Sequence, residues 1–270
     1  MAFPLVEATN TSSVNTAGLS HTVNLPAGIV AGNLLQIDFG YGVTGNTVTW
    51  PSGWTQYYAR ENTAGNNEGF AGAYRQADGS EGASITVTTS LNTKSSHNSY
   101  RISGAENPAT QAPEAATAQG NNLPPNPPLL APTGGAKDYL WRAVGASSQG
   151  GTYTFSTNYT DGIQINTGGT GAVDSITGSA RRQLNAASED PGAFTHDQAT
   201  AEFVAATIAI HPAAAAVDTT PPPEHAGELH VYLEVENPEL YGHTWAELPE
   251  DNDEAQTGAL SDELHVYLEV

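Results

Sequence analysis

The chain has 270 residues, enough for one large all-β domain or two smaller ones with a sizeable core. It has no Cys and one Met, at its start, which excludes disulfides, thiolate metal sites and a cysteine nucleophile. A net charge of −21 with only 8 Lys and Arg argues against nucleic acid as a partner, because phosphate contacts need clustered basic residues. Residues 1–13 have neither a basic nor an apolar signal region, and no apolar run approaches the ~20 residues that span a bilayer. The expectation is a soluble protein with no membrane partner and no recognisable export signal.

From Val14 to Pro212, short runs alternate with turns rich in Gly, Asn, Pro and Ser. The predicted strands are residues 22–25, 34–41, 47–50, 69–76, 83–89, 96–103, 139–144, 153–157, 162–166, 179–187 and 201–210. In the last of these, Val204, Ala206, Ile208 and Ile210 share one side. About eleven strands with no helical period predict an all-β fold, an antiparallel β-sandwich of jelly-roll type, over residues 1–212. Residues 107–132, rich in Pro, Ala and Asn, read as a long surface crossover, since each flank alone offers too few strands to close a core.

A second break is sharper. Residues 213–227, with Ala213 to Ala216 and Pro221 to Pro223, read as a semi-rigid spacer. Residues 213–270 carry 14 of the 29 acidic residues and no Lys or Arg, against 15 acidic and 8 basic residues before them. This extended acidic C-terminal tail (228–270) holds one octapeptide twice: 228–235 and 263–270 both read Glu-Leu-His-Val-Tyr-Leu-Glu-Val, at a spacing of 35. Each copy alternates as a half-buried strand does, with Leu229, Val231, Leu233 and Val235, and then Leu264, Val266, Leu268 and Val270, on one face. Tyr232 and Tyr267 lie on the opposite face. Burying four aliphatic side chains yields roughly 6–12 kcal/mol gross, whereas fixing eight backbones costs about 8–16 kcal/mol. A lone copy is therefore expected to order only on joining a sheet edge beside an apolar groove. The 27 intervening residues reach about 90 Å when extended and ~30 Å as a coil, far enough to link neighbouring subunits.

Other patterns have simpler readings. Gly40-Tyr-Gly-Val-Thr-Gly45 matches a dinucleotide fingerprint, but Asn46 to Trp50 reads as a strand where a helix is required, so a glycine-rich turn is expected. His21 and the pair His196-Asp197 are potential bases, yet there is no nucleophile elbow and no metal-ligand spacing, so no cofactor is expected. Asp251, Asp253 and Glu254 lack the spaced ligands and central Gly of a Ca²⁺ loop. Asn10-Thr-Ser and Asn158-Tyr-Thr match the glycosylation sequon, with no export signal to use it. Trp50, Trp54, Tyr57 and Tyr58 fall within nine residues, as in a sugar-stacking platform or in the packing of a sandwich edge.

Thr49-Trp-Pro-Ser-Gly-Trp-Thr, Ala73-Tyr-Arg-Gln-Ala-Asp-Gly-Ser-Glu-Gly-Ala-Ser-Ile-Thr-Val-Thr, Tyr100-Arg-Ile-Ser-Gly-Ala, Glu189-Asp-Pro-Gly and Phe203-Val-Ala-Ala-Thr-Ile-Ala-Ile-His-Pro resemble a β-sandwich module of tailed-bacteriophage virion structural proteins. The resemblance covers roughly residues 1–212 and excludes the tail. It implies a non-enzymatic capsid decoration or cement protein, or alternatively a head-fibre or tail protein that binds host glycans. The corresponding expectation is a homotrimer or homodimer on the outer capsid surface of a virion assembled in the host cytoplasm. Its partners would be the major capsid protein and other copies of itself, reached by strand addition of the two octapeptides. A polysaccharide-degrading enzyme is a third reading and would need paired carboxylates in a cleft.

Overall fold

The computed structural model describes residues 2–63, 68–121, 124–148, 150–169, 173–197 and 202–214. The chain divides into a unit of Met1–Ala216 and a unit of Val217–Val270, and both octapeptides lie outside the described residues. Among the described residues there is no helix, and the sheets are antiparallel.

The first sheet is built from β1 (Leu5–Asn24), β2 (Leu34–Tyr41), β3 (Val48–Thr49), β4 (Thr55–Asn62), β5 (Glu68–Gln76) and β6 (Ser84–Ser103), in the order β1-β6-β2-β5-β4 with β3 on β6. The second contains β7 (Glu114–Gly120), β8 (Lys137–Ser147), β10 (Thr160–Asn166), β11 (Ile176–Ala186) and β13 (Phe203–Ile210), in the order β10-β11-β8-β13-β7. A two-stranded ribbon pairs β9 (Tyr153–Thr154) with β12 (Thr195–His196). Each main sheet thus comes from one contiguous half of the chain. A jelly roll deals successive strands to alternate sheets, so this topology departs from the jelly-roll arrangement expected. The crossover expected at 107–132 does connect the two sheets, but it contains β7, an edge strand of alanines and polar residues that pairs with β13.

Period-two alternation sorts the side chains into layers. Leu34, Phe70, Tyr100 and Ile102 of the first sheet meet Leu140, Val144, Val204, Ala206, Ile208 and Ile210 of the second in a shared core. The intervening residues of β2, namely Leu35, Ile37, Phe39 and Tyr41, point the other way, into a second core with Val23, Leu25, Val87, Trp54 and Ala73. This second core exists because the long β1–β6 ribbon folds back over its own sheet. Its first arm pairs 5–14 with 95–103 and its second arm pairs 18–24 with 84–93, with register shifts on both sides of Gly18. Ser99 Oγ donates to the carbonyls of Asn10 at 3.3 Å and Asn24 at 2.7 Å, one on each arm. Asn10 Nδ2 donates to Leu25 O at 3.0 Å. The back of the second sheet is covered in turn by Leu130, Tyr153, Tyr159 and Phe194, packed on Tyr139 and Trp141. Every residue of β2 and β13 is consequently buried.

One charged pair crosses the shared core. Arg142 on β8 donates through Nη2 to Asp38 Oδ2 on β2 and through Nη1 to Gln36 Oε1 at 2.8 Å. Both side chains of the ion pair have no exposed surface. Tyr58 Oη donates to Asp38 Oδ1 at 2.7 Å, and the Arg142 guanidinium lies 3.5 Å from the centre of the Tyr100 ring. Tyr58 reaches Asp38 only because the facing strand has no side chain there: a Cβ on Gly72 would lie 2.0 Å from the Tyr58 ring.

Removing one partner of such a pair strands a buried charge, which costs about 3–5 kcal/mol. Asp38→Ala is therefore expected to destabilise the protein by ~3–5 kcal/mol in urea unfolding. The double replacement Asp38→Leu with Arg142→Leu is expected to lose less than Asp38→Ala alone.

Candidate functional site

The aromatic segment at residues 50–58 is split between layers. Trp50 and Trp54 stack with centroids 6.3 Å apart and join the outer core of the first sheet, with Trp50 edge-on to Phe39. Tyr57 and Tyr58 sit on the opposite side, in the shared core. A register shift between Gln56 and Tyr58 makes Tyr57 an extra residue in β4, so the two neighbouring tyrosines turn the same way and touch at 4.8 Å. Trp54 and Tyr58 are buried. The four residues therefore lie on two sides of the first sheet rather than on one exposed platform, and Trp54 and Tyr58 take the packing role that their spacing also allows.

The other candidate chemical groups are occupied structurally. The turn after Gly40 is held by a carboxylate: Glu61 accepts from Gly45 N at 2.9 Å and Asn46 N at 3.2 Å. His21 is buried at the fold of the β1–β6 ribbon, in a chain of hydrogen bonds through Ser95 (2.7 Å), His97 (2.8 Å from Ser95) and Ser12 (3.0 Å from His97). His21 also meets Thr89 Oγ1 at 2.9 Å, and Phe39 is stacked on His97 at 4.8 Å and edge-on to His21 at 5.3 Å. His196 is buried against Tyr153 at 4.8 Å, 4.0 Å from Asp197. No group of three or more metal-ligating side chains occurs among the described residues. The proposed partner-binding residues Leu229, Val231, Tyr232, Leu233, Val235, Leu264, Val266, Tyr267, Leu268 and Val270, and Asp251, Asp253 and Glu254, lie outside them.

At one end of the body, Glu68 begins β5 with no exposed surface. Its Oε1 accepts from Ser175 Oγ at 2.8 Å, and its Oε2 has no partner among the described residues. Burial pushes its pKa well above the carboxylate range, the Ser175 hydrogen bond opposes this and Glu202 adds to it. Burial thereby favours the neutral form of Glu68.

Sequence reasoning missed the seam between the two sheets. On one side the sheets are stitched together by Asn62 of β4, whose Nδ2 donates to Gly120 O of β7 at 2.7 Å. On the other side the edge strands are β1 and β10, and there β10 breaks register between Thr160 and Ile163. Asp161 takes a φ of 50°, a conformation uncommon outside Gly and worth about 1–3 kcal/mol of strain. The irregularity bounds a cavity of about 170 Å³ lined by Leu5 and Val6 of β1, Leu140 of β8, Asp161 and the Arg181–Gln183 stretch of β11. Leu140 is buried at its floor, while Leu5 is 52% exposed at its rim. Arg181 Nε pairs with Asp161 at 3.2 Å, and Arg182 Nη1 pairs with Glu189 at 3.0 Å. Gln183 Nε2 donates to Pro4 O at 2.9 Å, tying β11 to the start of β1. No signal in the sequence marks this site, because the bulge depends on pairing between β10 and β11.

With the geometry in place, comparison with known proteins adds no relative: no family model, curated protein or solved structure matches the chain.

The buried histidines set a pH dependence. Burial lowers the pKa of His97 to about 3, with His21 reinforcing the shift, and burial also lowers that of His21. In the unfolded chain both return to about 6.5, so the unfolded state binds more protons below that pH. Their contribution to stability is present above pH ~6.5 and is lost as pH falls towards 3. The urea midpoint is expected to fall from pH 7 to pH 4, and His97→Gln should make that fall visibly shallower.

Proposed function

We propose that the protein is a non-enzymatic structural component of a tailed-bacteriophage virion, a capsid decoration or cement protein. Its β-sandwich body stands on the outer shell and its C-terminal tail adds strands to neighbouring subunits. The observation that carries this reading is the exact duplication of an alternating octapeptide on an acidic tail. Two equivalent strands suit two equivalent acceptors, as a lattice of identical subunits supplies. Each seated strand raises the effective concentration of the other, so release is slow although each attachment alone is weak.

The body fits such a role. The sheets are covered on both faces, and the histidines and the deepest carboxylates are engaged in packing and hydrogen bonds that fix the layers. Resemblance of the quoted segments to virion β-sandwich modules supplies the biological setting. The tail accounts for the attachment that the module alone does not.

The reading is tested by assembling virions with the full chain and with a chain ending at Ser261, and comparing occupancy by cryo-electron microscopy. Loss of the second octapeptide is expected to reduce occupancy at least tenfold under dilution. Unchanged occupancy rejects two-point attachment.

A further inference from the structure

Pro212 and Ala213 pack on the loop after β6, which in turn lies against the start of β1 at the seam. Ala213 N donates to Gly104 O at 2.8 Å, and Ala105 bridges to Pro212. A Cβ built on Gly104 would lie 3.6 Å from Phe3 O and 3.7 Å from the Pro4 Cα. The next residue, Leu5, forms the rim of the cavity.

Three properties of the seam match the octapeptide. β1 and β10 end their sheets, so each has, among the described residues, one edge without a neighbouring strand to offer an incoming backbone. Part of the lining is aliphatic, from Leu140, Val6 and Leu5, beside the polar side chains of β10 and β11, and this mixed surface offers the aliphatic face of the octapeptide a place to rest. Two of the eight basic residues of the chain, Arg181 and Arg182, flank this cavity, while each octapeptide opens on Glu and carries a second Glu next to its last residue. The existing partners of these arginines are not all deep: Asp161 is 61% exposed, so its pair with Arg181 is weak and exchangeable.

Stoichiometry then selects the donor. Each chain carries two octapeptides and, among the described residues, this one seam with β1 and β10 at its edges. If both strands are seated in seams, at least one must occupy the seam of another molecule. Resting on the strand-addition reading above, we propose that the seam formed by Leu5, Val6, Leu140, Asp161, Arg181 and Arg182 receives the octapeptide of another copy of this chain. The result is linkage of copy to copy across the shell.

The test uses a full-length receptor whose own strands are disabled by Val231→Asp and Val266→Asp, and a fluorescent synthetic peptide Glu-Leu-His-Val-Tyr-Leu-Glu-Val. The peptide is expected to bind this receptor saturably, and a scrambled peptide is not. Adding Leu5→Asp or Arg181→Glu to the receptor should weaken binding at least tenfold. Leu5 is exposed and Arg181 is partly buried in its pair with Asp161, so unchanged thermal melting is required to show that the variants fold. In sedimentation, the wild-type chain should form concentration-dependent oligomers that the Val231→Asp and Val266→Asp variant does not form.

Absence of peptide binding, or binding indifferent to Leu5→Asp and Arg181→Glu, overturns the proposal. So does peptide binding by a wild-type chain that stays monomeric at all concentrations, since the strand then returns to its own body. If seam variants join virions at normal occupancy, the copy-to-copy seam is wrong while the decoration reading stands. Normal occupancy by the chain ending at Ser261 overturns the decoration reading, whatever the peptide titration gives.

Discussion

A guanidinium with no exposed surface sits between two sheets that come from different halves of the chain, and much of the body is arranged around it. Arg142 cannot lose its charge in a protein, so burial obliges its neighbours to supply acceptors. Asp38 and Gln36 do so from β2, Ser179 from β11, and the Tyr100 face covers the remainder. Gln36 and Asp38 share the inner face of β2 with Leu34, so the position of β2 against β8 is specified chemically as well as sterically. A slip of one residue would turn Leu35 and Ile37 inward and leave the guanidinium against hydrocarbon. Gly72 and Tyr58 belong to the same constraint, since the phenol that completes the Asp38 carboxylate needs an empty place in the adjacent strand.

The same alternation explains which strands were legible in the sequence. Residues 34–41 were predicted and are found as β2, because the run is apolar and bounded by Asn33 and Gly42. β13 was nearly as clear, with Val204 to Ile210 alternating and Pro212 closing the segment. β4, β7 and the first arm of β1 were missed for a common reason. β7 and most of the first arm of β1 are Thr, Asn, Ser, Ala and Glu, which read as turn composition, while β4 mixes Tyr57 and Tyr58 with Gln56, Arg60 and Asn62 and shows no clean alternation; all three become strands through pairing rather than through their own apolarity. The two segments predicted at 83–89 and 96–103 are the two arms of β6, and the polar stretch between them is where the ribbon folds rather than where it ends. Residues 5–14 find their partner about ninety positions away, a separation that local pattern does not report.

The candidate site was less legible still. The Trp and Tyr cluster was visible as composition, but one inserted residue at Tyr57 decides which face each ring takes. The seam is made by residues from four strands and by an irregular step at Asp161, none of which is periodic. The octapeptide shows the opposite case. Duplication makes it the plainest signal in the chain, while the acceptor proposed for it rests on three-dimensional edges that only the fold reveals.

The contiguity of each sheet has a further consequence. The shared core is the contact surface of two chain halves, each a complete sheet, joined through the segment between Ser103 and Glu114. In that sense the body is a heterodimer written as one polypeptide, with Arg142 as its interfacial anchor and Asn62 as its clasp. The covalent tether sets the local concentration of the halves, so the interface between them can carry a buried ion pair for alignment without having to supply all of the association energy. Edges left over from this internal dimerisation, β1 and β10 above all, are the places where the architecture offers the next partner a place to bind.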